Sequence, residues 1–332
     1  MRRLLALVMV CALALTGCAS TGATPAPSAT TAASGPVPVV GLTYIPNIQF
    51  SPFYVADQKG LFGRPVKLRH HGASEGLFTA LVTGDEQFVV AGGDELLQAR
   101  AEGVDLVAVA SYYRRYPVRI IVPADSTVTT PAQLKGLRIG LPGKYGENWF
   151  GLKVALAEAG LTEADVTIVE IGYTQQAALA TKRVDAVIGF VNGDVVALDV
   201  AGFATRSIEL GADVPLVSIC LITTKAYADQ NPAVVKAVAK GTVAGMAAVA
   251  ADQPGAVATS EAYVPGLSDA SAKATATAVL AATAQLFRAS DGTVTGTLDQ
   301  SQWQRMSDRM VAAGLLKQPV APADAMTNAY LG

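Results

Sequence analysis

Short apolar runs alternate with amphipathic stretches over the first two thirds of the chain. The runs are rich in Val, Ile and Leu, which is typical of strands buried in a sheet, and the stretches between them have helical spacing. This alternation predicts an α/β fold with mainly parallel sheets. The predicted strands cover residues 37–42, 66–70, 88–91, 106–110, 118–122, 137–141, 166–171, 186–190, 207–210 and 216–223. The predicted helices between them cover residues 52–61, 76–82, 94–102, 149–159, 174–181 and 194–200.

The pattern changes after residue 224, where alanine-rich helices replace the alternation. We expect these helices over residues 232–251, 270–288 and 300–313. Asn231-Pro232 is a helix start and Gly314 a helix stop. The order of the three regions favours two α/β lobes with a cleft and a hinge between them. We expect lobe 1 to comprise residues 37–122 and 220–332 and lobe 2 residues 123–219, with crossings near Val122–Asp125 and Val214–Cys220.

The N-terminal segment has the pattern of an export signal. Positive charge at Arg2 and Arg3 precedes an apolar run that is shorter than the about twenty residues of a membrane span. The run ends in Leu15-Thr16-Gly17-Cys18, which matches the bacterial lipobox. We therefore expect a lipoprotein signal peptide over residues 1–17, lipidation of Cys18 and a lipid anchor on the extracytoplasmic face of the cell membrane. The alternative is an ordinary secretory signal with a chance cysteine.

Residues 18–36 are almost entirely Ala, Thr, Ser, Gly and Pro, a composition that predicts a flexible tether. A formal net charge of −2 gives no electrostatic footprint for nucleic acid. Of the three cysteines, Cys11 leaves with the signal and Cys18 takes the lipid, so Cys220 has no disulfide partner. We expect no membrane-crossing run after Pro36, and a monomer.

The loops that follow the predicted strands carry the candidate ligand contacts, because ligands of doubly wound α/β lobes lie beyond the carboxyl ends of the strands. Aromatic rings there offer stacking faces, and amide side chains offer paired donors and acceptors for the edge of a heterocycle. Phe50 and Trp149 have the alternative of core packing, and Ser74 and Asp94 that of simple helix caps. The candidate residues are Tyr44, Asn47, Gln49, Phe50, Ser74, Gly93, Asp94, Tyr145, Gly146, Glu147, Asn148, Trp149, Tyr173 and Asn192.

Catalytic chemistry has little support in the sequence. His70 and His71 are adjacent on a predicted strand, so they point to opposite faces and cannot chelate one metal ion. A surface or rim position is the expected role of this pair. The chain has no G-x-S-x-G elbow, no Walker loop and no G-x-G-x-x-G after a strand. We therefore expect no catalytic residue, no metal and no cofactor.

One segment resembles a known family. The run Thr43–Ala56, followed by Lys59-Gly60-Leu61-Phe62, is similar to the opening of the NMT1/THI5-like and SsuA-like periplasmic binding proteins. Further matches follow in family order at Gly84-Asp85, Gly92-Gly93-Asp94, Leu134–Gly140 and Lys182–Ala186. The resemblance extends over roughly residues 39–224 and rests on the ordered set, since no single motif is specific.

The resemblance implies a type II periplasmic binding protein fold with a ligand in the cleft, and an ABC permease with its ATPase as partners. It implies a small-molecule ligand that is riboflavin-like, a thiamine pyrimidine, or an alkylsulfonate or taurine. Thr43–Pro52 is closest to the riboflavin type, and Tyr44 and Phe50 stand where the pyrimidine type has tryptophan and histidine. Sulfonates rank third, because the candidate loops contain Lys144 but no arginine.

Two other protein classes are open alternatives. The first is an extracytoplasmic enzyme of thiamine-precursor synthesis, since yeast relatives of the family are pyrimidine-forming enzymes. Those relatives carry a cysteine-rich iron segment that Cys220 alone does not reproduce. The second is a purely structural surface lipoprotein.

Overall fold

The computed structural model describes residues 35–332 except 73, 74, 213 and 290. The predicted signal peptide, the lipidation site Cys18 and the predicted contact Ser74 therefore lie outside the described residues. The strands are β1 (Val39–Leu42), β2 (Lys67–His70), β3 (Phe88–Gly92), β4 (Leu106–Ser111), β5 (Val118–Pro123), β6 (Arg138–Leu141), β7 (Thr167–Glu170), β8 (Ala186–Phe190), β9 (Thr205–Ile208) and β10 (Ile219–Thr224). The helices are α1 (Ser51–Gln58), α2 (Thr79–Thr83), α3 (Gly93–Ala101), α4 (Gly146–Glu158), α5 (Gln175–Ala180), α6 (Val196–Val200), α7 (Lys225–Gln230), α8 (Pro232–Ala251), α9 (Gln253–Ser260), α10 (Ala270–Phe287), α11 (Gln300–Ala312) and α12 (Pro322–Ala325).

Two five-stranded sheets form the two α/β lobes, which confirms the predicted fold class. The first sheet has the order β2-β1-β3-β10-β4 and the second the order β7-β6-β8-β5-β9. The expectation of mainly parallel sheets is wrong in one respect, because β10 runs antiparallel to β3 and β4, and β5 runs antiparallel to β8 and β9. These two strands are the first in each sheet after the chain has crossed from the other lobe.

The pairing of β5 with β8 and β9 places this strand in the second lobe. The chain therefore leaves the first sheet after Ser111 and enters the second at Val118, upstream of the predicted crossing near Val122–Asp125. A buried strand has the same sequence pattern in either sheet, so the pattern does not assign β5 to a lobe. The return crossing lies between Ile208 and Ile219.

Helix α8 packs against α1 on the first lobe. It is long and apolar enough to cross a membrane by length and composition, contrary to the expectation for residues after Pro36, yet 44 % of its most apolar stretch is buried. Gly245 lies so close to Pro52 of α1 that an added Cβ would meet the Pro52 carbonyl oxygen. The buried Val238 and Met246 of α8 belong to the same apolar cluster as Phe53 of α1. The apolar character of α8 thus serves a helix-to-helix contact in the core.

Helix α11 packs against both lobes. Its buried Trp303, Met306 and Met310 belong to one apolar cluster with α3 of the first lobe and α4 of the second. The Met306 sulfur also accepts from the backbone N–H of Val217 in the return crossing. The hinge is therefore packed against a helix, which restricts how the two lobes can move.

Candidate functional site

Three tyrosines from the two lobes meet where the parallel strands of both sheets end. The rings of Tyr44, after β1, and Tyr173, after β7, lie with centroids 6.3 Å apart in an edge-to-face arrangement. Tyr145, just before α4, hydrogen bonds with Tyr173, and burial together with this bond raises the pKa of Tyr173 to about 12. All three rings are exposed in part. We call Tyr44, Tyr145 and Tyr173 the tyrosine mouth of the cleft.

His70 fixes the backbone of Tyr44. Its Nδ1 lies 2.9 Å from the Tyr44 carbonyl oxygen, and its Nε2 lies 3.0 Å from the Tyr54 hydroxyl. A carbonyl only accepts, so Nδ1 carries the proton and Nε2 accepts from Tyr54. Burial lowers the pKa of His70, which favours this neutral form. The ring thereby connects the loop of the tyrosine mouth to α1.

Two helix starts face each other inside the mouth, one from each lobe. α3 begins with Gly93, Asp94 and Glu95, and α4 begins with Gly146 and Glu147. Gly146 has a φ of +68°, a conformation that strongly favours glycine, and a Cβ added to it would lie 3.3 Å from Glu95 Oε1. The start of α4 therefore lies close to the Glu95 side chain of the other lobe.

Tyr116, in the first crossing, joins these helix starts. Its hydroxyl lies 2.8 Å from Asp94 Oδ2 and 2.9 Å from the Glu147 carbonyl oxygen. A hydroxyl has one proton, so both bonds are complete when Asp94 is protonated and donates to Tyr116. Ser218, in the return crossing, donates to Glu147 Oε1 over 2.5 Å. Both crossings thus contribute polar contacts to the interior of the cleft.

The three carboxyl groups of the cleft interior resist ionisation. Burial raises the pKa of Asp94 well above its usual range, and the neighbouring Glu95 adds to the shift. Burial also raises the pKa of Glu95 and, together with the charges of Asp94 and Glu95, that of Glu147. Within the described part of the chain, none of the three forms an ion pair with a cation. This interior disfavours negative charge.

Asn192 lies fully buried on a single π-helical turn, Val191–Val195, that follows β8. Its Nδ2 donates to the hydroxyls of Tyr113, over 3.1 Å, and of Thr283 on α10, over 3.0 Å. Its Oδ1 has no hydrogen-bond partner among the described residues. Burial raises the pKa of Tyr113, and the hydrogen bond from Asn192 offsets part of that shift.

Comparisons with known proteins agree with this arrangement. The family profile described as NMT1/THI5 like matches residues 47–256, more than half of the chain. The riboflavin-binding protein RibY of Chloroflexus aurantiacus is 31 % identical over 99 % of this chain and 97 % of its own length. This chain belongs to the NMT1/THI5-like family. It is a substrate-binding protein of the NMT1/THI5/SsuA type.

A second relative and two solved structures extend the comparison. A formylaminopyrimidine-binding protein of Halalkalibacterium halodurans is 26 % identical over 62 % of this chain and 64 % of its own length. The periplasmic aliphatic sulphonate binding protein SsuA of Escherichia coli shares the fold, with a TM-score of 0.70, 19 % identity, and coverage of 89 % of this chain and 92 % of its own. The desulfurization enzyme DSZB has the same fold at a TM-score of 0.53 and 19 % identity, with coverage of 89 % and 97 %. The fold by itself thus does not separate binding proteins from enzymes, whereas the two relatives named above are described as binding proteins.

Several predicted contact residues of this NMT1/THI5-like protein have structural roles. Phe50 is buried in the core of its own lobe, with its ring edge-to-face against His70 at 5.5 Å. Asn47 Oδ1 accepts from the backbone N–H of Gln49 and caps the turn before α1. Asn148 donates to the Ile188 carbonyl oxygen of β8 over 2.7 Å. Gln49 does reach the second lobe, since its Nε2 lies 3.6 Å from a Cβ added to Gly193.

Gly93 and Trp149 make contacts with residues other than the three tyrosines. A Cβ on Gly93 would come within 3.1 Å of both Val217 and Trp303, so the glycine allows α3 to pack on α11. Trp149 lies beneath two lysines, with the Lys144 and Lys153 Nζ atoms 5.3 and 5.6 Å from its ring centroid. Of the second-lobe aromatic candidates, Tyr145 and Tyr173 hydrogen bond with each other, and Tyr173 contacts Tyr44 of the first lobe.

His71 is buried, contrary to the expected rim position. Its Nε2 lies 3.0 Å from Glu86 Oε2, and Arg69 donates to the same carboxylate. His70 and His71 do point to opposite sides of their strand, as the alternation requires. No group of His, Cys, Asp and Glu in the described ranges is arranged to hold a metal ion.

The sequence interpretation omits three residues of the cleft interior, Glu95, Tyr116 and Ser218, whereas Tyr113 follows the predicted strand that ends at Ala110 and is, with Tyr112, a weaker candidate near the hinge. Glu95 directly follows the predicted contact Asp94 in the first turn of a predicted helix. Its position at that helix start is the sequence signal that could have identified it. Tyr113 and Tyr116 lie in the first crossing, which the predicted boundary placed after β5. Ser218 had no distinguishing sequence signal.

Two surface cavities lie away from the cleft. One of about 330 Å³ is lined by residues of β9 and of the connector after β5, among them Thr130 and Arg206. The other, of about 300 Å³, lies beside the hinge and includes Arg115 and Glu209. Neither is lined by the tyrosine mouth or by the carboxyl groups inside it.

Proposed function

We propose that this protein is the extracytoplasmic solute-binding lipoprotein of an ABC importer and that it binds a planar heteroaromatic solute of the riboflavin type between its lobes. The observation that carries the proposal is the tyrosine mouth, in which rings from both lobes converge on one opening. A flat ring placed among them gains stacking contacts from both sides only when the lobes close. The full-length similarity to a protein named for riboflavin binding supports this ligand class.

A thiamine-type pyrimidine is the second candidate, supported by the similarity to a formylaminopyrimidine-binding protein. Its smaller ring would contact fewer of the mouth tyrosines than a three-ring flavin. Sulfonates fit poorly, because the interior holds carboxyl groups without cationic partners among the described residues.

A thermal-shift screen of the purified protein against flavins, pyrimidines, alkanesulfonates and taurine tests the ligand class. Saturating riboflavin is expected to raise Tm by about 5 °C, since ligand at 100 times its Kd stabilises by about 2.7 kcal/mol. A shift with sulfonates and none with either ring class would refute the proposal. If none of these compounds shifts Tm, the result would instead favour the interpretation as a structural lipoprotein.

The anchor is tested by cell fractionation. Attachment through Cys18 predicts that the protein collects with the membrane fraction and that a Cys18→Ser variant does not. Equal membrane retention of the two proteins would contradict the anchor.

A further inference from the structure

The cavity of about 300 Å³ beside the hinge is lined by both segments of chain that connect the lobes. Arg114, Arg115 and Tyr116 come from the first crossing, and Gly211 and Val214 come from the return crossing. Strand β5 and helix α11 contribute the other walls. A ligand bound here therefore contacts both connections between the lobes at once.

The cavity has an excess of positive charge. Its charged lining residues are three arginines and one carboxylate, namely Arg114, Arg115, Arg119 and Glu209. Arg119 Nε lies 3.0 Å from Glu209 Oε1, so these two charges compensate each other. Arg114 and Arg115 form no ion pair with any described residue. Arg114 also interacts electrostatically with Asp291, which does not line the cavity.

The guanidinium groups of Arg114 and Arg115 are held in place by neutral acceptors. Arg114 donates through Nη1 to the Thr297 carbonyl oxygen, and Arg115 donates through Nη2 to the Gln285 carbonyl oxygen over 2.7 Å. A carbonyl oxygen positions a guanidinium group without neutralising its charge. The group has five N–H donors in a fixed fork that matches the paired oxygens of a phosphate. The chemistry of this lining therefore fits a small oxyanion.

Tyr116 connects this cavity with the interior of the cleft. Its carbonyl oxygen accepts from Arg119 Nη1 over 2.7 Å, whereas its hydroxyl contacts Asp94 of the first lobe and the Glu147 carbonyl oxygen of the second. A change in the angle between the lobes moves these contacts and the walls of the cavity together. An ion in the cavity therefore binds one arrangement of the lobes more tightly than another and favours that arrangement.

We propose that the hinge cavity binds a small oxyanion of the phosphate class through Arg114 and Arg115, and that the bound ion favours the arrangement in which the lobes meet at the tyrosine mouth. This inference adds a second site to the proposed function and does not depend on which solute the cleft takes. Because such coupling is reciprocal, a solute in the cleft tightens the binding of the ion by the same factor.

Calorimetric titration with inorganic phosphate at constant ionic strength tests the site. The wild-type protein is expected to bind one ion per chain, and Arg114→Gln and Arg115→Gln should each weaken binding about tenfold, because each removes a charge-assisted hydrogen bond. Arg64→Gln is the matched control, since Arg64 also donates to a backbone carbonyl oxygen, that of Pro36, but does not line the cavity. No binding to the wild-type protein, or equal weakening by the control, would overturn the site.

Vesicles that contain phosphatidylglycerol distinguish the free ion from a lipid headgroup, which carries the same phosphate chemistry. We expect the wild-type protein and Arg115→Gln to sediment equally with these vesicles. Sedimentation that requires Arg115, without binding of free phosphate, would overturn the free ion as the ligand.

Titration of riboflavin with and without saturating phosphate tests the coupling between hinge and cleft. Phosphate is expected to tighten riboflavin binding about fivefold in the wild-type protein and to have no effect in Arg115→Gln. An unchanged riboflavin Kd would overturn the coupling. Failure of riboflavin to bind would contradict the proposed function, whereas the phosphate titration decides the hinge site independently.

Discussion

At the scale of single residues, the histidine pair shows what local geometry determines and what it leaves open. Strand alternation predicts that His70 and His71 face opposite sides, and they do. Their partners are Tyr54, on α1, and Glu86, in the loop before β3. These partners are 16 and 15 residues away in the sequence, so no local pattern identifies them. The consequence is that one histidine positions the Tyr44 loop and the other is buried in a carboxylate contact.

Replacing His70 by alanine is expected to weaken riboflavin binding about fivefold, because one lost hydrogen bond of about 1 kcal/mol frees the Tyr44 loop. His70→Asn should recover most of the affinity, since its amide can donate to the Tyr44 carbonyl oxygen as Nδ1 does. Titration of both variants provides the measurement. If asparagine binds as weakly as alanine, the positioning role of the Nδ1 bond is wrong.

Some of the candidate residues could be predicted from the sequence to lie close to one another, and others could not. Tyr44, Tyr145 and Tyr173 each follow a parallel strand, so the strand-end rule is enough to place them on one opening. Trp149 follows the same strand as Tyr145 but lies one helical turn further, beside Lys144 and Lys153. The position of Trp149 within α4 decides the direction of its side chain. The sequence predicts that this helix begins at residue 149, whereas it begins at Gly146.

At the scale of elements, most strand and helix positions follow from burial patterns. The bounds of α8 agree with the prediction because Asn231-Pro232 marks its start. Helices α7, α9 and α12 were absent from the prediction, since each is short and its stability comes from packing more than from a periodic sequence. The sequence also does not predict the direction of β5 and β10. Both have the continuous apolar runs that are typical of parallel strands, yet they pair antiparallel to their neighbours.

The packing of α3 on α11 gives a prediction at this scale. Gly93→Ala is expected to destabilise the protein by about 1–3 kcal/mol, as overpacking does, because the new methyl group meets Val217 and Trp303. Gly72→Ala is the matched control, since a Cβ there meets no atom within 4 Å. Urea unfolding of the two variants measures the difference. A Gly93→Ala variant as stable as the control would contradict the packing.

At the scale of the whole molecule, closure joins features that lie far apart in the chain. The tyrosine mouth takes rings from both lobes, Tyr116 and Ser218 reach the interior from the two crossings, and α11 supports the hinge from behind. A ligand that stacks on rings from both lobes gains all of these contacts only when the lobes are together, so binding and closure are coupled.

A titration of riboflavin with the protein, in which flavin fluorescence is measured, tests this account most directly. Stacking of the flavin ring on tyrosine is expected to quench that fluorescence. The wild-type protein and Tyr173→Phe, which keeps the ring, should bind with Kd values within about twofold of each other, whereas Tyr173→Ala should raise Kd about tenfold, for a loss of about 1.4 kcal/mol of ring contact. Unchanged affinity and quenching in the alanine variant would show that the flavin does not lie between the tyrosines of the two lobes.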